Sequence, residues 1–468
     1  MRRTKIVCTI GPASCEPEVL TKLIKAGMNV ARLNLSHGEY HEHNKAIENI
    51  RKITHSLPII ADLQGPRIRT GLLQNKKAKL KKGGIVFLTA ENILGNDRLI
   101  PFSPARVLRD IRKGQTVLLA DGTIKLKVLA KREKRVECLV LQDGILGEHK
   151  GINLPQTQLH LPSLTAKDRK DIAWAIKQGI DYLAFSFVRS AEDVMALKKI
   201  LKEKRANIPI ITKIEKSEAL QNLKEIIKVS DAIMVARGDL GVEISLEKVP
   251  VIQKEIIEMC QIYEKPVIVA TQMLESMVKE PVPTRAEVSD VANAIFDGTD
   301  AVMLSEETSI GNYPVETVHT MARIAEEADR KAGFPLPAVQ GATRLSVAVA
   351  HAACILVKVV KARAIITFTE TGSTALRVSK HRPSVPIYGV VTNNKTLRRL
   401  ALYYDVRPIK INAFRYIDEM ILNTEKALST NGYLKKGDLV VITAGVPINI
   451  PGTTNLIKVH RIGERRTL

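Results

Sequence analysis

Two short clusters of charged residues have the composition of a metal-assisted phosphate site. Lys213 and Glu215 lie at the end of the hydrophobic run 209–214, and Asp239 follows the run 231–236. Two carboxylates with a lysine beside them can form an octahedral Mg²⁺ site that leaves positions open for substrate oxygens. A structural ion-pair network is the alternative, but the position of both clusters at the ends of predicted strands favours function.

A second polar group lies near the N-terminus. Arg32, Asn34 and Ser36 alternate along the run 29–35 and just beyond it, which predicts that they share one face of a strand, and Asp62 ends the next run. An arginine suits a phosphoryl oxygen, whereas Asn, Ser and Asp oxygens suit a cation. His37 has no visible partner in the sequence, so we interpret it as a turn residue rather than an acid-base group.

Three further residues could move a proton. Thr271, Ser305 and Glu307 supply two hydroxyls and a carboxylate after two other runs, and Ser186 lies near the end of a third. Gly238 lacks a side chain, so backbone N–H groups there can approach an anion.

Eight β-branched runs, each separated from the next by a helical pattern, contain all of these residues or lie just before them. The runs are continuously hydrophobic, as expected of parallel strands that are buried on both faces. They predict a (β/α)₈ barrel, in which the active site lies at the carboxyl ends of the strands. The runs are 5–10, 29–35, 58–63, 181–187, 209–214, 231–236, 266–271 and 300–305.

Two other regions depart from the barrel rhythm. After the third run, a stretch of short strands with Gly and Asp-Gly turns predicts a small β-barrel lid domain inserted into the barrel. After the Pro/Gly linker at 333–337, alternating helices and strands predict a doubly wound α/β domain. The predicted domains are a barrel of 1–65 and 162–335, a lid of 66–161 and a C-terminal regulatory domain of 336–468.

Composition restricts the class of protein. The formal charge is +22, but the basic residues are spread along the chain and aromatics are only 4%, so we expect small anionic substrates and no nucleic acid. Five scattered cysteines without a C-x-x-C pair argue against a zinc site or a disulfide framework. With no signal peptide and no long apolar run, we predict a cytoplasmic protein with no membrane segment.

The segments that carry these residues resemble those of the pyruvate kinases along nearly the whole chain. The resemblance is highly specific and does not depend on a Walker loop or a dinucleotide fingerprint, since the chain has neither. The matching segments are KIVCTIGPAS, GMNVARLNLSHG, GPRIRTG, KIE, MVARGDLGVE, ATQMLESM, PTRAEVSDVANAIFDGTDAVMLSEET and AGVP with GTTNLIKVH.

The resemblance implies transfer of the phosphoryl group of phosphoenolpyruvate to ADP, giving pyruvate and ATP in glycolysis. It implies that Glu215 and Asp239 hold Mg²⁺ (or Mn²⁺) and that Lys213 and Arg32 neutralise the phosphoryl group. It also implies a lid that closes over the site and a homotetramer. The other implied roles are substrate binding by Ser186, Ala236, Arg237, Gly238, Asp239 and Thr271, nucleotide binding by Arg32, Asn34 and Arg69, a lid contact by Asp121, and proton donation by Thr271, Ser305 and Glu307.

Two departures from the family pattern are informative. Family members that require K⁺ have Glu where this chain has Arg67, and they hold K⁺ at the positions of Asn34, Ser36, Asp62 and the Leu63 carbonyl. With Leu63 and Gln64 in place of Thr and Lys, the chain resembles the K⁺-independent branch, and we expect K⁺ not to be required. The second departure is Glu306, which stands where many members have Gly.

A turn in the C-terminal region is the predicted effector site. Residues 367–374 (TFTETGST) are rich in hydroxyls and glycine, which suits a phosphate, and they resemble the place where the family binds phosphorylated effectors. An ordinary N-capped turn is the alternative. The predicted effector residues are Thr369, Thr371, Gly372, Ser373 and Thr374.

Two other functions remain open from sequence. One is a different Mg²⁺-dependent barrel that handles phosphoenolpyruvate or pyruvate, such as an aldolase, against which the lid and the Lys213 and Arg32 pair argue. The other is a basic binding protein without catalysis, against which the intact set of site residues argues.

Overall fold

A computed structural model describes residues 2–334, 344–447, 452 and 454–464. The chain begins with three strands that alternate with helices. Gly27, at φ 130°, ends the first helix in a conformation that glycine adopts most readily. The elements are β1 (Lys5–Thr9), α1 (Pro17–Ala26), β2 (Val30–Asn34), α2 (Tyr40–Ile53) and β3 (Ile59–Asp62).

A β region follows β3 and forms the lid. Seven of its strands form one sheet in the order β12-β8-β9-β10-β6-β7-β4, and a bridge between Arg69 and Gly151 links its two edges. The strands β5 and β11 pair separately, and the only helix described within the region is a 3₁₀ helix at Ala105–Arg109. The strands are β4 (Arg69–Thr70), β5 (Lys77–Leu80), β6 (Ile85–Thr89), β7 (Leu99–Ser103), β8 (Thr116–Leu119), β9 (Ile124–Lys131), β10 (Arg135–Gln142), β11 (Gly144–Gly147) and β12 (Ile152–Asn153).

The chain then returns to the barrel. Its first helix begins with a capping box, in which Thr165 accepts from the Asp168 N–H and the Asp168 carboxylate accepts from the Thr165 N–H. The elements are α3 (Ala166–Lys177), β13 (Tyr182–Phe185), α4 (Ala191–Glu203), β14 (Ile210–Ile214), α5 (Ser217–Gln221), α6 (Leu223–Val229), β15 (Ala232–Ala236), α7 (Arg237–Glu243), α8 (Val249–Ile262), β16 (Val267–Ala270), α9 (Arg285–Phe296), β17 (Ala301–Leu304), α10 (Glu306–Ser309) and α11 (Pro314–Lys331).

The eight predicted strands close into a parallel barrel in the order β1-β17-β16-β15-β14-β13-β3-β2, which confirms the predicted fold. Alternate residues point to opposite sides of the barrel wall. Val7, Val30, Ile60 and Ile211 belong to the cluster inside the barrel, whereas their neighbours in sequence pack against the helices. Both faces are therefore buried, which explains why the runs are continuously hydrophobic.

The C-terminal region is an open five-stranded sheet in the order β20-β19-β18-β21-β22, in which only β22 is antiparallel. The helix that begins at Asn394 ends at Leu400, because residues 401–405 form turns. The predicted boundary at 335/336 lies outside the described residues. The elements are α12 (Leu345–Val359), β18 (Ala364–Phe368), α13 (Ser373–Lys380), β19 (Ile387–Val391), α14 (Asn394–Leu400), β20 (Val406–Lys410), α15 (Ile417–Thr430), β21 (Leu439–Gly445) and β22 (Thr454–Arg461).

Buried ion pairs join the C-terminal region to the end of the barrel opposite the lid. Asp300, which is fully buried, accepts from Lys380 at 2.6 Å and from Arg382 at 3.1 Å. Asp181 likewise pairs with Arg398, at 2.5 Å. Among the described residues, no helix has the length and apolarity needed to cross a membrane.

Candidate active site

The carboxyl ends of four barrel strands place charged and polar side chains directly above the apolar interior. Ile60 and Ile211 point into the barrel, so the period of two brings Asp62 and Lys213 inward at the next layer. The same alternation brings in Arg32 above Val30. The strand ends are therefore the reason that these residues meet.

Arg32, Asp62 and Lys213 form a buried cluster whose members pair with one another and with nearby side chains. The Lys213 ammonium lies 2.9 Å from Ser186 Oγ, 2.7 Å from Glu215 Oε1 and 3.5 Å from Asp62 Oδ1. Asp62 Oδ2 accepts from Arg32 Nε at 2.8 Å, and Arg32 also donates to Thr9 Oγ1 at 2.9 Å. A buried charge is tolerated when it is paired in this way.

Electrostatics favour the charged forms of the central pair. Burial opposes ionisation of Asp62, but Lys213 and Arg32 hold its pKa below the usual value. Burial likewise opposes the charge of Lys213, but Asp62 and Glu215 raise its pKa. Lys213 is therefore a fixed cation at the base of the site.

The two predicted metal ligands are close enough to interact. Burial raises the pKa of Glu215, and the negative charge of Asp239 raises it further, while Lys213 opposes the change. Glu215 Oε2 accepts from the Phe187 N–H at 2.8 Å, whereas Oε1 has its ion pair with Lys213 but no well-directed hydrogen bond. A hard cation near these oxygens would relieve the repulsion, so the residues fit Mg²⁺. Among the described residues, no group of three or more His, Cys, Asp or Glu side chains could hold a metal ion.

A backbone cradle lies beside the metal ligands. Thr271, at φ 70°, accepts from the Gly238 N–H at 2.8 Å and donates to the Ala270 carbonyl at 2.6 Å. A Cβ at Gly238 would lie 3.5 Å from Thr271 Oγ1 and would therefore occupy the space beside that hydroxyl. Arg237 points away and is held by Asp290 at 2.7 Å.

The three predicted proton-relay residues do not bond to one another through their side chains. Glu307 is buried, and its carboxylate accepts from the Ser305 N–H at 2.6 Å and from the Leu274 N–H at 3.2 Å. Burial raises the pKa of Glu307, which favours its protonated form. The Thr271 hydroxyl is instead bonded to Gly238 and Ala270, so a direct relay through all three side chains would need water between them.

The side-chain oxygens of Asn34 and Asp62, two of the predicted monovalent-cation ligands, already accept from protein donors. Asn34 Oδ1 accepts from the Ser36 N–H at 3.2 Å, and Ser36 lies in the turn after β2 rather than on the strand face as predicted. Leu63 is buried, and its N–H bonds the Ala184 carbonyl.

Arg67 lies at the edge of the same region. Its guanidinium lies 5.7 Å from the Phe187 ring centroid, and its buried Nε has no hydrogen-bond partner. Burial lowers the pKa of His37, and the charges of Arg67 and Arg69 lower it further. Burial and Arg67 also lower the pKa of Arg69. Arg67 therefore contributes positive charge beside the mouth of the barrel.

The lid lies against this mouth. Asn153 donates to Glu243 at 3.0 Å, and Glu243 also pairs with Lys216 at 2.6 Å. The cleft between lid and barrel has a free volume of about 50 Å³ and is lined by residues that include Asp121 and Asp239. Movement of the lid relative to the barrel would therefore change access to Asp239.

Sequence reasoning missed several of these contacts. Thr9 ends β1 and bonds Arg32, and the strand-end rule that identified the other residues would have found it. The contacts of Phe187 with Arg67 and of Glu243 with Asn153 form only because the lid folds onto the barrel, and nothing in the spacing of these residues indicates this.

The predicted effector turn connects β18 to α13. Gly372, at φ 94°, precedes the helix, and its N–H donates to Thr369 Oγ1 at 2.9 Å. Thr371 donates to Ser373 at 3.2 Å. The Thr374 hydroxyl is buried against Thr454, at 2.6 Å, so Thr371 and Ser373 carry the more accessible hydroxyls of the turn.

Fold and site together define a lidded (β/α)₈ barrel enzyme that is suited to a phosphorylated anion and a divalent cation. The family model for the pyruvate kinase barrel domain matches residues 1–318, and that for the pyruvate kinase alpha/beta domain matches residues 347–460. The chain belongs to the pyruvate kinase family, whose members are phosphotransferases.

Individual relatives agree over the full length. A pyruvate kinase from Clostridium acetobutylicum is 45% identical over 98% of this chain and 99% of its own. One from Sporosarcina psychrophila is 44% identical over 99% of this chain and 81% of its own. The crystal structure of a pyruvate kinase from Cryptosporidium parvum is 38% identical, with a TM-score of 0.93, and the match covers 98% of this chain and 96% of that one.

Proposed function

We propose that this chain transfers the phosphoryl group of phosphoenolpyruvate to ADP and forms pyruvate and ATP. The observation that carries the proposal is the Lys213 ammonium, which is held between Ser186, Asp62 and Glu215 at the barrel mouth. A fixed cation there neutralises negative charge on the phosphoryl group during its transfer. Such preorganised charge contributes strongly to stabilisation of the transition state. Family membership supports the same reaction.

Arg32 is the second cation at the phosphoryl group. Its pairing with Asp62 and Thr9 fixes the guanidinium before substrate arrives, so little reorganisation is needed during transfer. Asn34, at the end of β2, and Arg69, in the lid strand β4, are the proposed nucleotide contacts, with Asp121 as a further lid contact.

Glu215 and Asp239 are the proposed ligands for Mg²⁺ or Mn²⁺. When bound, the cation supplies positive charge and Lewis acidity to substrate oxygens. Burial and, to a smaller extent, the negative charge of Asp239 raise the pKa of Glu215, and a bound cation would offset both effects, which supports this assignment.

The substrate carboxylate is proposed to bind the backbone from Ala236 to Asp239 together with Thr271. The Gly238 N–H and Thr271 Oγ1 lie 2.8 Å apart, so a carboxylate that displaced the bond between them and the bond from Thr271 to the Ala270 carbonyl would receive both donors. Arg237 supports the cradle from behind, because it donates to the Thr271 carbonyl at 2.8 Å.

The enolate that remains after transfer must be protonated at carbon. Thr271, Ser305 and Glu307 are the proposed source of this proton, with Glu307 as its store because burial raises its pKa. A closed lid keeps bulk water from accepting the phosphoryl group in place of ADP.

We also propose that activity does not require K⁺. The oxygens of Asp62 and Asn34 that would bind K⁺ already accept from Arg32 and from the Ser36 N–H. Arg67 adds a permanent positive charge beside them, which would repel a monovalent cation.

Regulation, assembly and location are further proposals. The accessible hydroxyls of Thr371 and Ser373 support a phosphorylated activator at the effector turn. The homotetramer and the cytoplasmic location rest on family resemblance and on the five scattered cysteines.

A coupled assay tests the proposed reaction. Phosphoenolpyruvate, ADP and Mg²⁺ are supplied in a buffer whose only monovalent cation is tetramethylammonium, and pyruvate is reduced by lactate dehydrogenase. We expect pyruvate formation that requires ADP and Mg²⁺ but not K⁺. Pyruvate formation without ADP would contradict the proposal. So would a failure to form pyruvate both in this buffer and in the same buffer with K⁺ added.

A further inference from the structure

One carboxylate oxygen of the barrel is bonded to the lid and to a buried lysine at the same time. Glu243 Oε1 accepts from the lid residue Asn153 at 3.0 Å and from Lys216 Nζ at 2.6 Å. Glu243 and Lys216 are both buried. We call Asn153, Lys216 and Glu243 the lid triad.

The two barrel members of the lid triad lie next to the proposed metal ligands. Lys216 directly follows Glu215, just beyond the end of β14. Glu243 is four residues after Asp239 in α7, so the two side chains lie on the same face of that helix. The lid triad therefore joins the lid to both elements that supply the proposed metal ligands.

The contact between the lid and α7 is separate from the connection through which the chain leaves the lid. Asn153 ends β12, and Gly122 approaches the same helix, because a Cβ there would lie 3.7 Å from Val242 Cγ1. Arg189 and Ser217 bond the carbonyls of Leu159 and Pro155, which belong to the segment that leads back into the barrel. The bond from Asn153 can therefore break while that segment stays in place.

The acceptor of this bond is held in position from the barrel side. Lys216 compensates the charge of Glu243, which allows the carboxylate to be buried. The Lys216 ammonium also lies 5.8 Å from the Phe187 ring centroid, so a second group restrains it. A hydrogen bond to such a carboxylate is stronger than a bond between neutral groups.

We propose that Lys216 and Glu243 are positioning residues that hold the lid against the barrel through Asn153. When Asn153 leaves, Glu243 keeps its ion pair with Lys216, so opening leaves no unpaired buried charge. Opening therefore costs about one hydrogen bond at this contact, which favours a closed lid and still lets it open. The effect on turnover rests on the proposed phosphoryl transfer, whereas the effect on the lid does not.

A thiol placed under the lid tests the proposal. Val242→Cys puts a sulfhydryl beside Gly122, and Cys15→Ser removes the native thiol that is not buried. The rate at which an aromatic disulfide reagent labels this cysteine in the full chain, without substrates, measures how often the lid opens. The test variant is Asn153→Ala, and the matched control is Asn75→Ala at an exposed position of the lid.

We expect the labelling rate to rise at least about tenfold in the test variant, the factor for losing one hydrogen bond to a charged group. In the control it should change less than about twofold. An unchanged rate in the test variant, or an equal rise in the control, would overturn the proposal.

A second variant removes the barrel side of the lid triad. Lys216→Met/Glu243→Leu deletes both charges together, so no unpaired charge remains buried. It should raise the labelling rate as much as Asn153→Ala does. Because both changes break one contact, adding Asn153→Ala to this variant should raise the rate less than about twofold further. A further rise of about tenfold would show that Asn153 acts elsewhere and would overturn the proposal.

Kinetics separate the lid triad from the proposed reaction. In Asn153→Ala without the cysteine changes, ADP must bind to a lid that is more often open. The KM for ADP should therefore rise at least about threefold, while kcat stays within about twofold. A fall in kcat with an unchanged KM would overturn the positioning role. Absence of turnover in an unchanged chain whose Val242→Cys form is still protected by the lid triad would count against the proposed reaction alone.

Discussion

The barrel mouth and the cavity that lies between α4 and α13 both concentrate positive charge, but they compensate it differently. At the mouth, Arg32 and Lys213 are buried and paired with Asp62 and Glu215. In the cavity, Lys202 and Arg205 are exposed and have no acidic partner within the described chain. A paired and buried cation is held in a fixed position and can stabilise a transition state without reorganisation. An unpaired and exposed cation is instead suited to binding an anion from solution.

The largest expected effect comes from removing the central cation of the mouth. Lys213→Met should lower kcat at least about 100-fold, because charge that stabilises the transition state is lost. The measurement is the coupled assay, with circular dichroism to confirm folding. The exposed Lys170→Met is the matched control and should retain full activity. Near-normal kcat in the Lys213 variant would show that the Lys213 charge at the barrel mouth does not stabilise the transition state.

The next effect concerns the carboxylates of the mouth. Glu215→Gln and Asp239→Asn should each raise the Mg²⁺ concentration for half-maximal rate at least about tenfold, since each deletes a ligand charge. A Mg²⁺ titration of the rate measures this, with the exposed Glu255→Gln as control. Unchanged titration curves would place the metal elsewhere.

Arg67 differs from Arg32 and Lys213, because it lies at the barrel mouth but has no carboxylate partner among the described residues. Arg67→Glu should make turnover depend on K⁺ by several-fold, whereas Arg67→Lys should keep it independent, since lysine preserves the charge. Rates in K⁺ and in tetramethylammonium at equal ionic strength provide the test. Strong activation of the unchanged chain by K⁺ would show this explanation to be wrong.

The smallest effect is on stability and concerns a buried base without an acidic partner. Burial and, to a smaller extent, the nearby His351 together lower the pKa of His381 to about 4. The ordinary pKa of a histidine is 6.5, so between pH 6.5 and pH 4 the unfolded chain binds more protons than the folded chain. The free energy of unfolding therefore decreases as the pH is lowered through this range. Between pH 7 and pH 5 the loss should be about 2 kcal/mol.

Thermal unfolding at both pH values measures that loss. His381→Asn should show a smaller drop in Tm on acidification than the unchanged chain, and the exposed His41→Asn should behave like the unchanged chain. An identical drop in the His381 variant would assign the acid sensitivity to other groups.

The sequence predicted the mouth better than the cavity for a physical reason. Strand ends in a (β/α)₈ barrel converge at one place, so Asp62 and Lys213 could be grouped from their position in separate runs alone. Ser36 was placed wrongly on the strand face because β2 ends at Asn34, and strand ends are hard to locate from hydrophobicity.

The cavity could not be predicted in this way. Its wall comes from a helix end, a loop and two C-terminal helices, whose relative placement depends on contacts such as Asp181 with Arg398. No spacing along the chain brings Arg205 and Tyr403 together. The lid contacts of Phe187 and Glu243 were missed for the same reason.

The central claim is that the mouth divides its work between a phosphoryl cluster around Lys213 and a proton-donating group around Glu307. The most direct measurement compares two reactions in two variants: phosphoryl transfer to ADP, and exchange of the pyruvate methyl protons with deuterated water in the presence of Mg²⁺. We predict that Lys213→Met loses transfer but keeps most exchange, and that Glu307→Gln loses more exchange than transfer. An equal loss of both reactions in both variants would contradict this division.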